Sequence, residues 1–274
     1  MTGEWFRGIT PRAKPVEIDT TVANPARVYD YWLGGKDNFA ADREAAERVL
    51  AVSPGLRFRV RANRAFLARA VRYLVADAGI RQFLDIGTGI PSANNTHEVA
   101  QAAVSSCRVV YVDNDPIVLA HARALLASGA AGATAYVDAD LRDTDEVLDA
   151  ARRTLDFSQP IGLMLLGILH LISDAEDPYA IVARLLAAVP SGSYLAISHP
   201  ASDINAGQAE VQRRYNERVS TPQTLRTHAE VCRFFEGLSL VPPGVVYVHT
   251  WRPDPGDDAP EEVASAHGGV GRKP

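Results

Sequence analysis

"FLDIGTGIPSANNTHEVA" spans residues 83–100 and joins an apolar run to a turn that contains glycine. In this stretch Asp85 precedes two glycines, Gly87 and Gly89, that are one residue apart. An apolar run, a glycine turn and a helical pattern in this order predict a strand–turn–helix unit that binds a ligand at the carboxyl end of the strand. Ser92 stands where the dinucleotide-binding fingerprint has its third glycine, so the stretch predicts the unit but not a dinucleotide ligand.

The charge ahead of the glycines also argues against a pyrophosphate. A dinucleotide places its negative charges at the helix N-terminus, and Asp85 would lie beside them and repel them. A ligand with an ammonium group would instead be attracted to Asp85, while the two glycines let the backbone approach it closely. The turn therefore favours a ligand that carries positive charge near the end of the first strand.

Strands and helices alternate through the middle of the chain. Four more β-type runs follow the first, separated by amphipathic helical patterns, which predicts a parallel sheet with helices on both faces. Two later runs, LSLV and VVYVHTW, are separated by PPG and predict a terminal hairpin. We expect a three-layer, Rossmann-like α/β fold with a sheet of about seven strands. The five predicted parallel strands are QFLDIG, RVVYVDND, ATAYVDADL, IGLMLLGILHLI and SGSYLAISH.

Composition divides the chain into three predicted parts. Residues 1–79 hold a tail and extra helices, residues 80–253 form the α/β core, and a helical insert is predicted at 203–220. The stretch rich in Pro, Gly and Asp from Pro253 onward is predicted to be loop-like, so residues 254–274 form a tail. The aromatic stretch YDYWLGGKDNF in the first part either forms a lid over the pocket or packs the extra helices onto the core.

Three aspartates lie at the tips of three successive predicted strands: Asp85, Asp113 and Asp140. The carboxyl ends of parallel strands meet at one sheet edge, so these acids would face one ligand. Asp113 can accept both hydroxyls of a ribose, Asp140 can accept from an adenine amino group, and Asp85 can hold an ammonium. S-adenosylmethionine has an ammonium group, ribose hydroxyls and an adenine amino group in the same order as Asp85, Asp113 and Asp140, and it has no phosphate. Each acid alone could instead be a loop residue or a helix cap. The residues predicted to bind it are Arg64, Asp85, Gly87, Thr88, Gly89, Asp113, Asn114, Asp140 and Leu141.

Two histidines are candidate catalytic residues. His170 and His199 close the fourth and fifth predicted strands, where an imidazole can remove a proton from a methyl acceptor near neutral pH. Either could instead be a hydrogen-bonded structural residue, and the two could share a metal, although no carboxylate accompanies them at ligand spacing. We therefore predict no metal site. Arg64 could bind the carboxylate of the cofactor, or it could be solvent-exposed or form a surface ion pair.

The series LDIGTG, VVYVDNDP and YVDADLRD resembles the class I S-adenosylmethionine-dependent methyltransferases. Residues 24–253 as a whole resemble a narrower bacterial family of largely uncharacterised proteins assigned to that class. Pro91 departs from the wider class, in which glycine often holds this position. The resemblance implies a methyltransferase fold and cofactor, and it supplies no acceptor. The stretches that carry it include ARVYDYWLGGKDNFAADREAA, NRAFLARAVRYL, QFLDIGTGIPSANNTHEVAQ, VVYVDNDPIVLAHARALL, ILHLISD, GSYLAISH and FFEGLSLVPPGVVYVHTWRPD.

Composition narrows the function classes. The net charge of −5 creates no field that attracts nucleic acid, and GILHLI lacks the Asn/Asp-Pro-Pro-aromatic motif of methyltransferases that act on the amino groups of nucleic-acid bases. No signal peptide and no apolar run of about 18 residues is found, and the two cysteines lack metal-like spacing. The sequence predicts a cytoplasmic enzyme with a small-molecule acceptor and no membrane partner, in which two chains could pair through the added helices.

Two other functions stay open from sequence. The protein could sense the cofactor or bind a partner without turnover, and the absence of any clear catalytic group permits this. A nicotinamide-dependent oxidoreductase is disfavoured by Asp85 and Ser92 for the reasons given above.

Overall fold

The computed structural model of the chain describes residues 18–126, 133–204, 208–217, 219, 221–255 and 265–274. The predicted tail at residues 1–17 and part of the predicted insert (205–207, 218 and 220) lie outside these residues. The strands, numbered along the chain, are β1 (Gln82–Ile86), β2 (Arg108–Asp113), β3 (Thr134–Asp138), β4 (Gly162–Leu166), β5 (Tyr194–Pro200), β6 (Ser239–Leu240), β7 (Val246–Tyr247) and β8 (Ala266–Arg272).

The helices of the described residues flank these strands. Two short 3-10 turns, at Leu169–Leu171 and Asp174–Glu176, follow β4. The α-helices are α1 (Pro25–Leu33), α2 (Ala40–Leu50), α3 (Leu56–Ala76), α4 (Thr96–Ala103), α5 (Pro116–Leu126), α6 (Thr144–Ala151), α7 (Pro178–Ala188), α8 (Gln208–Asn216) and α9 (His228–Arg233).

The strands form one eight-stranded sheet in the order β3-β2-β1-β4-β5-β8-β6, with β7 also paired to β8. The first five strands are parallel, as predicted, and in register Asp85 lies opposite Tyr111 and Asp113 opposite Asp138. The chain runs outward from β1 to β3 and then returns to β4 on the other side of β1. A crevice for a ligand opens at this reversal, at the carboxyl ends of the strands.

Helices cover both faces of the sheet, so the predicted three-layer α/β fold is confirmed. Successive residues of a strand point to opposite faces, and accordingly Leu84 belongs to the cluster under α6, α7 and α9. Phe83 belongs to the cluster under α3, together with Phe66 and Leu74. All four side chains are fully buried.

The extra helices pack as a third unit above the carboxyl edge of the sheet. Helices α1, α2, α3 and α8 share an apolar cluster in which the Trp32 and Tyr215 rings lie 6.1 Å apart. A buried ion pair joins α1 to α2, with Arg27 Nε 3.1 Å from Asp42 Oδ1. The same Asp42 carboxylate accepts from the backbone N–H of Asn24 and of Phe39, so it fixes the start of both helices.

The carboxyl-terminal part of the fold differs from the prediction. Residues 266–272, predicted to be a loop-like tail, form β8, which lies between β5 and β6. The two strands of the predicted hairpin do not pair with each other; β6 and β7 each pair with β8. The sheet therefore has eight strands instead of about seven.

The composition of β8 explains why it was missed. Its sequence AHGGVGR lacks alternating apolar side chains, yet six of its seven residues are buried. Neighbouring side chains pack directly on its backbone: a Cβ at Gly268 would lie 2.8 Å from Val248, and one at Gly271 would lie 2.9 Å from Phe235. The apolar surface that identifies this strand belongs to its neighbours.

Candidate active site

A cavity with a volume of about 220 Å³ lies at the carboxyl edge of the parallel strands. The ends of the strands form its floor, and residues of α1, α3 and α8 form its walls. The sequence-predicted site residues all line this cavity: Arg64, Asp85, Gly87, Thr88, Gly89, Asp113, Asn114, Asp140, Leu141, His170 and His199.

The glycine turn after β1 has the backbone conformation that its residues predict. Gly87 and Gly89 have φ angles of 76° and 66°, in the left-handed region. A Cβ at Gly87 would lie 2.5 Å from the side chain of Ile168, whereas one at Gly89 would meet nothing within 4 Å. The first glycine is thus required by packing as well as by conformation, and the second leaves open space on the cavity side of the turn.

Asp113, the last residue of β2, is tied to the glycine turn. Its Oδ2 accepts from the N–H of Gly89 at 2.8 Å and its Oδ1 accepts from the N–H of Asp115 at 2.9 Å. Burial raises the pKa of this carboxyl to about 6, against the backbone hydrogen bonds that lower it. Each carboxylate oxygen can accept a further hydrogen bond, so the geometry suits a ligand with two adjacent hydroxyls.

Asp85 lies beneath the turn and is nearly inaccessible, with 5% of its surface exposed. Thr96, the first residue of α4, donates its hydroxyl to Asp85 Oδ2 at 2.6 Å. Burial raises the pKa of Asp85 to about 6, while the Thr96 hydrogen bond and the charge of Arg64 act in the opposite direction. A cationic group in the cavity would favour the ionised form of this acid.

Asp140 lies two residues beyond the end of β3, which stops at Asp138 and not at the predicted tip. Its Oδ2 accepts from the Asn114 amide at 2.9 Å, and its Oδ1 accepts from the backbone and the guanidinium of Arg142. Leu141 is buried beside it. This arrangement places a polar edge and an apolar surface at the end of the cavity that lies beyond β2.

Arg64 is partly buried and holds the loop that precedes α4. Its Nη2 donates to the carbonyls of Ala93 and Asn94, at 3.0 and 3.1 Å, and to Asn95 Oδ1 at 3.1 Å. Its Nε is buried without a hydrogen-bond partner in the described part of the chain. The surface ion pair that sequence left open is therefore not what this residue forms.

His170 does not close β4, because the strand ends at Leu166 and Gly167 adopts a φ of 70°. It lies instead in the first 3-10 turn, and its ring centroid is 6.1 Å from that of His199 on β5. Burial, with the charges of Arg59 and Arg226, lowers the pKa of His170 to about 3. Its Nδ1 is buried and has no hydrogen-bond partner among the described residues.

Both ring nitrogens of His199 are engaged. Nδ1 lies 2.8 Å from the carbonyl of Pro200, and Nε2 lies 2.9 Å from Nη1 of Arg226. An arginine only donates, so Nε2 is the acceptor and Nδ1 carries the hydrogen. Burial lowers the pKa of His199 well below its ordinary value. The ring is therefore neutral and held in one tautomer, and it has no free lone pair with which to take a proton from a methyl acceptor.

Sequence reasoning missed several residues of the cavity wall. Arg226 is 1% exposed and donates to the carbonyls of Leu169 and Ile172 as well as to His199, which fixes the turn that carries His170. Arg59 and Asn63 project into the cavity from α3. Their spacing of four residues places both on one face of that helix, and this was the available signal.

A pocket lined by carboxylates at the reversal point of a parallel sheet defines a class of α/β proteins that bind a nucleoside-containing cofactor at the strand ends. The part of the chain that the structure describes contains no group of three or more His, Cys, Asp or Glu residues that could hold a metal ion. Within the same residues, no helix has both the length and the apolar character needed to cross a bilayer.

Comparisons with known proteins agree with this class. A family model described as S-adenosyl methyltransferase matches residues 11–274. The chain therefore belongs to this family; it is an S-adenosylmethionine-dependent methyltransferase, and its cofactor is S-adenosylmethionine. No curated protein sequence matches the chain significantly.

Two solved structures are similar over nearly the whole chain. A DUF574 family protein from Streptomyces avermitilis MA-4680 is 49% identical, with a TM-score of 0.89 over 94% of this chain and 100% of that one. A protein from Thermobifida fusca YX, provisionally designated a methyltransferase, is 42% identical, with a TM-score of 0.86 over 93% and 96% of the two chains. The structure "PigF with SAH" is 18% identical over 85% of this chain and 69% of that one, with a TM-score of 0.51, and shares only the fold.

Proposed function

We propose that this methyltransferase transfers the methyl group to a small organic acceptor that enters the cavity beside His170. The observation that carries the proposal is the extent of the cavity, which continues from the glycine turn past His170 to Trp32 and Tyr215 on the extra helices. A site walled in this way suits a small molecule better than a loop or base of a macromolecule. Family membership favours turnover over a sensor that only binds the cofactor.

The residues present fit S-adenosylmethionine. Asp113 has two oriented oxygens that suit the ribose hydroxyls, and Asp85 offers negative charge beside the glycine turn for the ammonium group. The unpartnered Nε of Arg64 suits the carboxylate of the methionine part. Asp140 and Leu141 supply an acceptor and an apolar surface for the adenine. Gly87, Thr88, Gly89 and Asn114 complete the proposed set.

When bound, S-adenosylmethionine supplies a methyl carbon whose bond to the positively charged sulfur breaks as the acceptor atom bonds to it. The protein contributes alignment of the acceptor and exclusion of water, which suffice for much of such a displacement. The buried walls from α1, α3 and α8 are what exclude water here.

His170 is the better candidate of the two histidines for the acceptor's proton. Its Nδ1 is unpartnered in the described residues, and its lowered pKa keeps the ring neutral, so a lone pair is available. A base with so low a pKa is weak, which favours an acceptor that is itself acidic, such as a phenol or a carboxylic acid. The lone pair of His199, the other predicted catalytic residue, accepts a hydrogen bond from Arg226. His199 is therefore better suited to a positioning role.

Calorimetry with the product S-adenosylhomocysteine tests the cofactor assignment. We expect binding at about micromolar Kd for the unmodified protein. Asp113→Ala removes two charged hydrogen bonds and should weaken binding about a hundredfold. Asp149→Ala is the matched control, because Asp149 is 78% exposed and pairs only with the exposed Arg152. Equal affinities for both variants would contradict the role of Asp113.

Labelled S-adenosylmethionine tests the acceptor class. The protein is incubated with the low-molecular-mass, protein and nucleic-acid fractions of a cell extract in parallel. We expect label only in the low-molecular-mass fraction. Label in protein or nucleic acid would refute a small-molecule acceptor, and no label in any fraction would favour binding without turnover.

A further inference from the structure

Arg59 lines the cavity with a guanidinium that has no hydrogen bond or ion pair to any described residue. The other arginines nearby are all engaged: Arg27 with Asp42, Arg64 with the loop before α4, and Arg226 with two carbonyls and His199. Arg59 is partly buried, and burial lowers its pKa to about 10, so it remains charged near neutral pH. A cation removed from water without an anion is costly, and such groups are normally paired.

The surroundings of Arg59 place this charge at the acceptor end of the cavity. The charge of Arg59 acts on His170 and that of Arg64 acts on Asp85 beneath the glycine turn, while both charges act on Tyr29. The packing agrees with this placement, because Arg59 lies one helical turn before Asn63 on α3, and a Cβ at Gly167, three residues before His170, would lie 3.5 Å from Asn63 Nδ2. Arg64 holds the loop beside the proposed cofactor, and Arg59 lines the same cavity as the histidine beside which the acceptor is proposed to enter.

Other polar atoms beside Arg59 are also without partners. Asn63, one helical turn further along α3, donates its Nδ2 to the Tyr29 hydroxyl at 3.0 Å, and Tyr29 donates to the Val60 carbonyl at 3.2 Å. The Oδ1 of Asn63 and the Nδ1 of His170 are buried with no partner among the described residues. Asn63 Oδ1 and His170 Nδ1 can accept hydrogen bonds, and the Arg59 guanidinium can donate several. Together they suit a ligand that has both an anionic oxygen and a hydrogen-bond donor.

We propose that the methyl acceptor is a small organic carboxylate, whose charged group forms a two-point ion pair with Arg59 and whose hydroxyl or amino donor meets Asn63 or His170. This inference rests on the proposed function, because it specifies the chemistry of the methyl acceptor that the proposed function requires. The planar guanidinium matches a carboxylate. One positive charge balances one negative charge, so a dianionic phosphate would stay partly uncompensated. The body of the acceptor would lie against the apolar wall at Trp32, Leu33 and Leu56.

The test measures charge selectivity in protein saturated with S-adenosylhomocysteine. The probes are 4-hydroxybenzoate, 4-hydroxyphenylacetate and 3-(4-hydroxyphenyl)propanoate, each with its neutral primary amide. We expect at least one acid to bind at least about tenfold tighter than its amide. In Arg59→Gln this preference should disappear, and in Arg59→Lys part of it should remain. Arg57→Gln on the same helix is the control, because Arg57 is exposed and 3.8 Å from Glu47.

The outcomes separate this inference from the function on which it rests. Affinity for S-adenosylhomocysteine should be unchanged in Arg59→Gln, which also shows that the variant is folded, and reduced in Arg64→Gln. If Arg59→Gln loses that affinity while Arg59→Lys keeps it, Arg59 belongs to the cofactor site and the inference is wrong. It is also wrong if no acid of the series binds, or if acids and amides bind alike. Failure of the unmodified protein to bind S-adenosylhomocysteine would instead refute the proposed function itself.

Discussion

Replacing Arg226 by methionine should destabilise the protein strongly, because this side chain joins three parts of the site from a fully buried position. Its guanidinium donates to the carbonyls of Leu169 and Ile172 and to Nε2 of His199, each at 2.9 Å. Methionine has a similar length and fills most of the same space, so the change removes donors without opening a large cavity.

The magnitude follows from the acceptors that would lose their donor. Each of the three buried acceptors left unsatisfied costs about 1.5 kcal/mol. The ion pair to Asp174 adds little, since that carboxylate is 69% exposed. Removing a buried charge returns part of this cost. We expect a net loss of about 3 kcal/mol, a large share of the total stability of a folded domain.

Urea unfolding followed by circular dichroism measures this loss. Arg184→Met is the matched control, since Arg184 is 56% exposed and pairs with an exposed aspartate, and it should cost at most about 0.5 kcal/mol. The Nε2 shift of His199 gives a second readout, because this nitrogen loses the donor Arg226 while the hydrogen bond from Nδ1 to the Pro200 carbonyl still holds the tautomer. The reasoning fails if Arg226→Met costs no more than the control, or if the Nε2 shift of His199 is unchanged in a folded variant.

Further predictions concern the glycine turn and the two buried acids. Gly87→Ala should lower stability by about 3 kcal/mol, because it adds a Cβ that would lie 2.5 Å from Ile168 to an unfavourable φ, while Gly89→Ala should cost only about 1 kcal/mol. Equal melting temperatures for the two variants would contradict this difference. The pKa of Asp113 is raised from 3.8 to about 6, so protonated Asp113 stabilises the ligand-free protein below pH 3.8, and this contribution is lost as the pH rises through 6. Asp113→Asn should reduce this pH dependence of the unfolding free energy, measured by urea titrations at several pH values. Affinity for S-adenosylhomocysteine should change the other way and weaken by up to about tenfold for each pH unit below 6, because protonation of Asp113 removes a hydrogen-bond acceptor. If calorimetry finds the same affinity at pH 7 and pH 5, this prediction is wrong.

The central sheet and the cofactor end of the site were predictable because their signals are local. Each parallel strand is a short apolar run, and Asp85, Asp113 and Asp140 lie at or just beyond the carboxyl ends of such runs, so strand order was not needed to place them at one edge. The glycine turn was predictable for the same reason.

The acceptor end could not be predicted in the same way, because it depends on contacts between distant segments. Arg226 meets Leu169 and His199 across 57 and 27 residues of sequence, and nothing in its own neighbourhood of sequence distinguishes it from a surface arginine. Arg59 likewise lines its cavity together with Tyr29 and Trp32 of α1, which lies more than twenty residues earlier in the chain. Strand β8 was missed because its partners supply the apolar atoms.

The position of β8 has a consequence for synthesis of the protein on the ribosome. It follows every other described element along the chain, and yet it lies inside the sheet and is the strand that both β6 and β7 pair with. Until residues 266–272 have emerged, β5 keeps an open edge and the two short strands have no partner, which is the kind of surface that recruits chaperones or other nascent chains. Completion of this sheet thus depends on a seven-residue strand that contains three glycines.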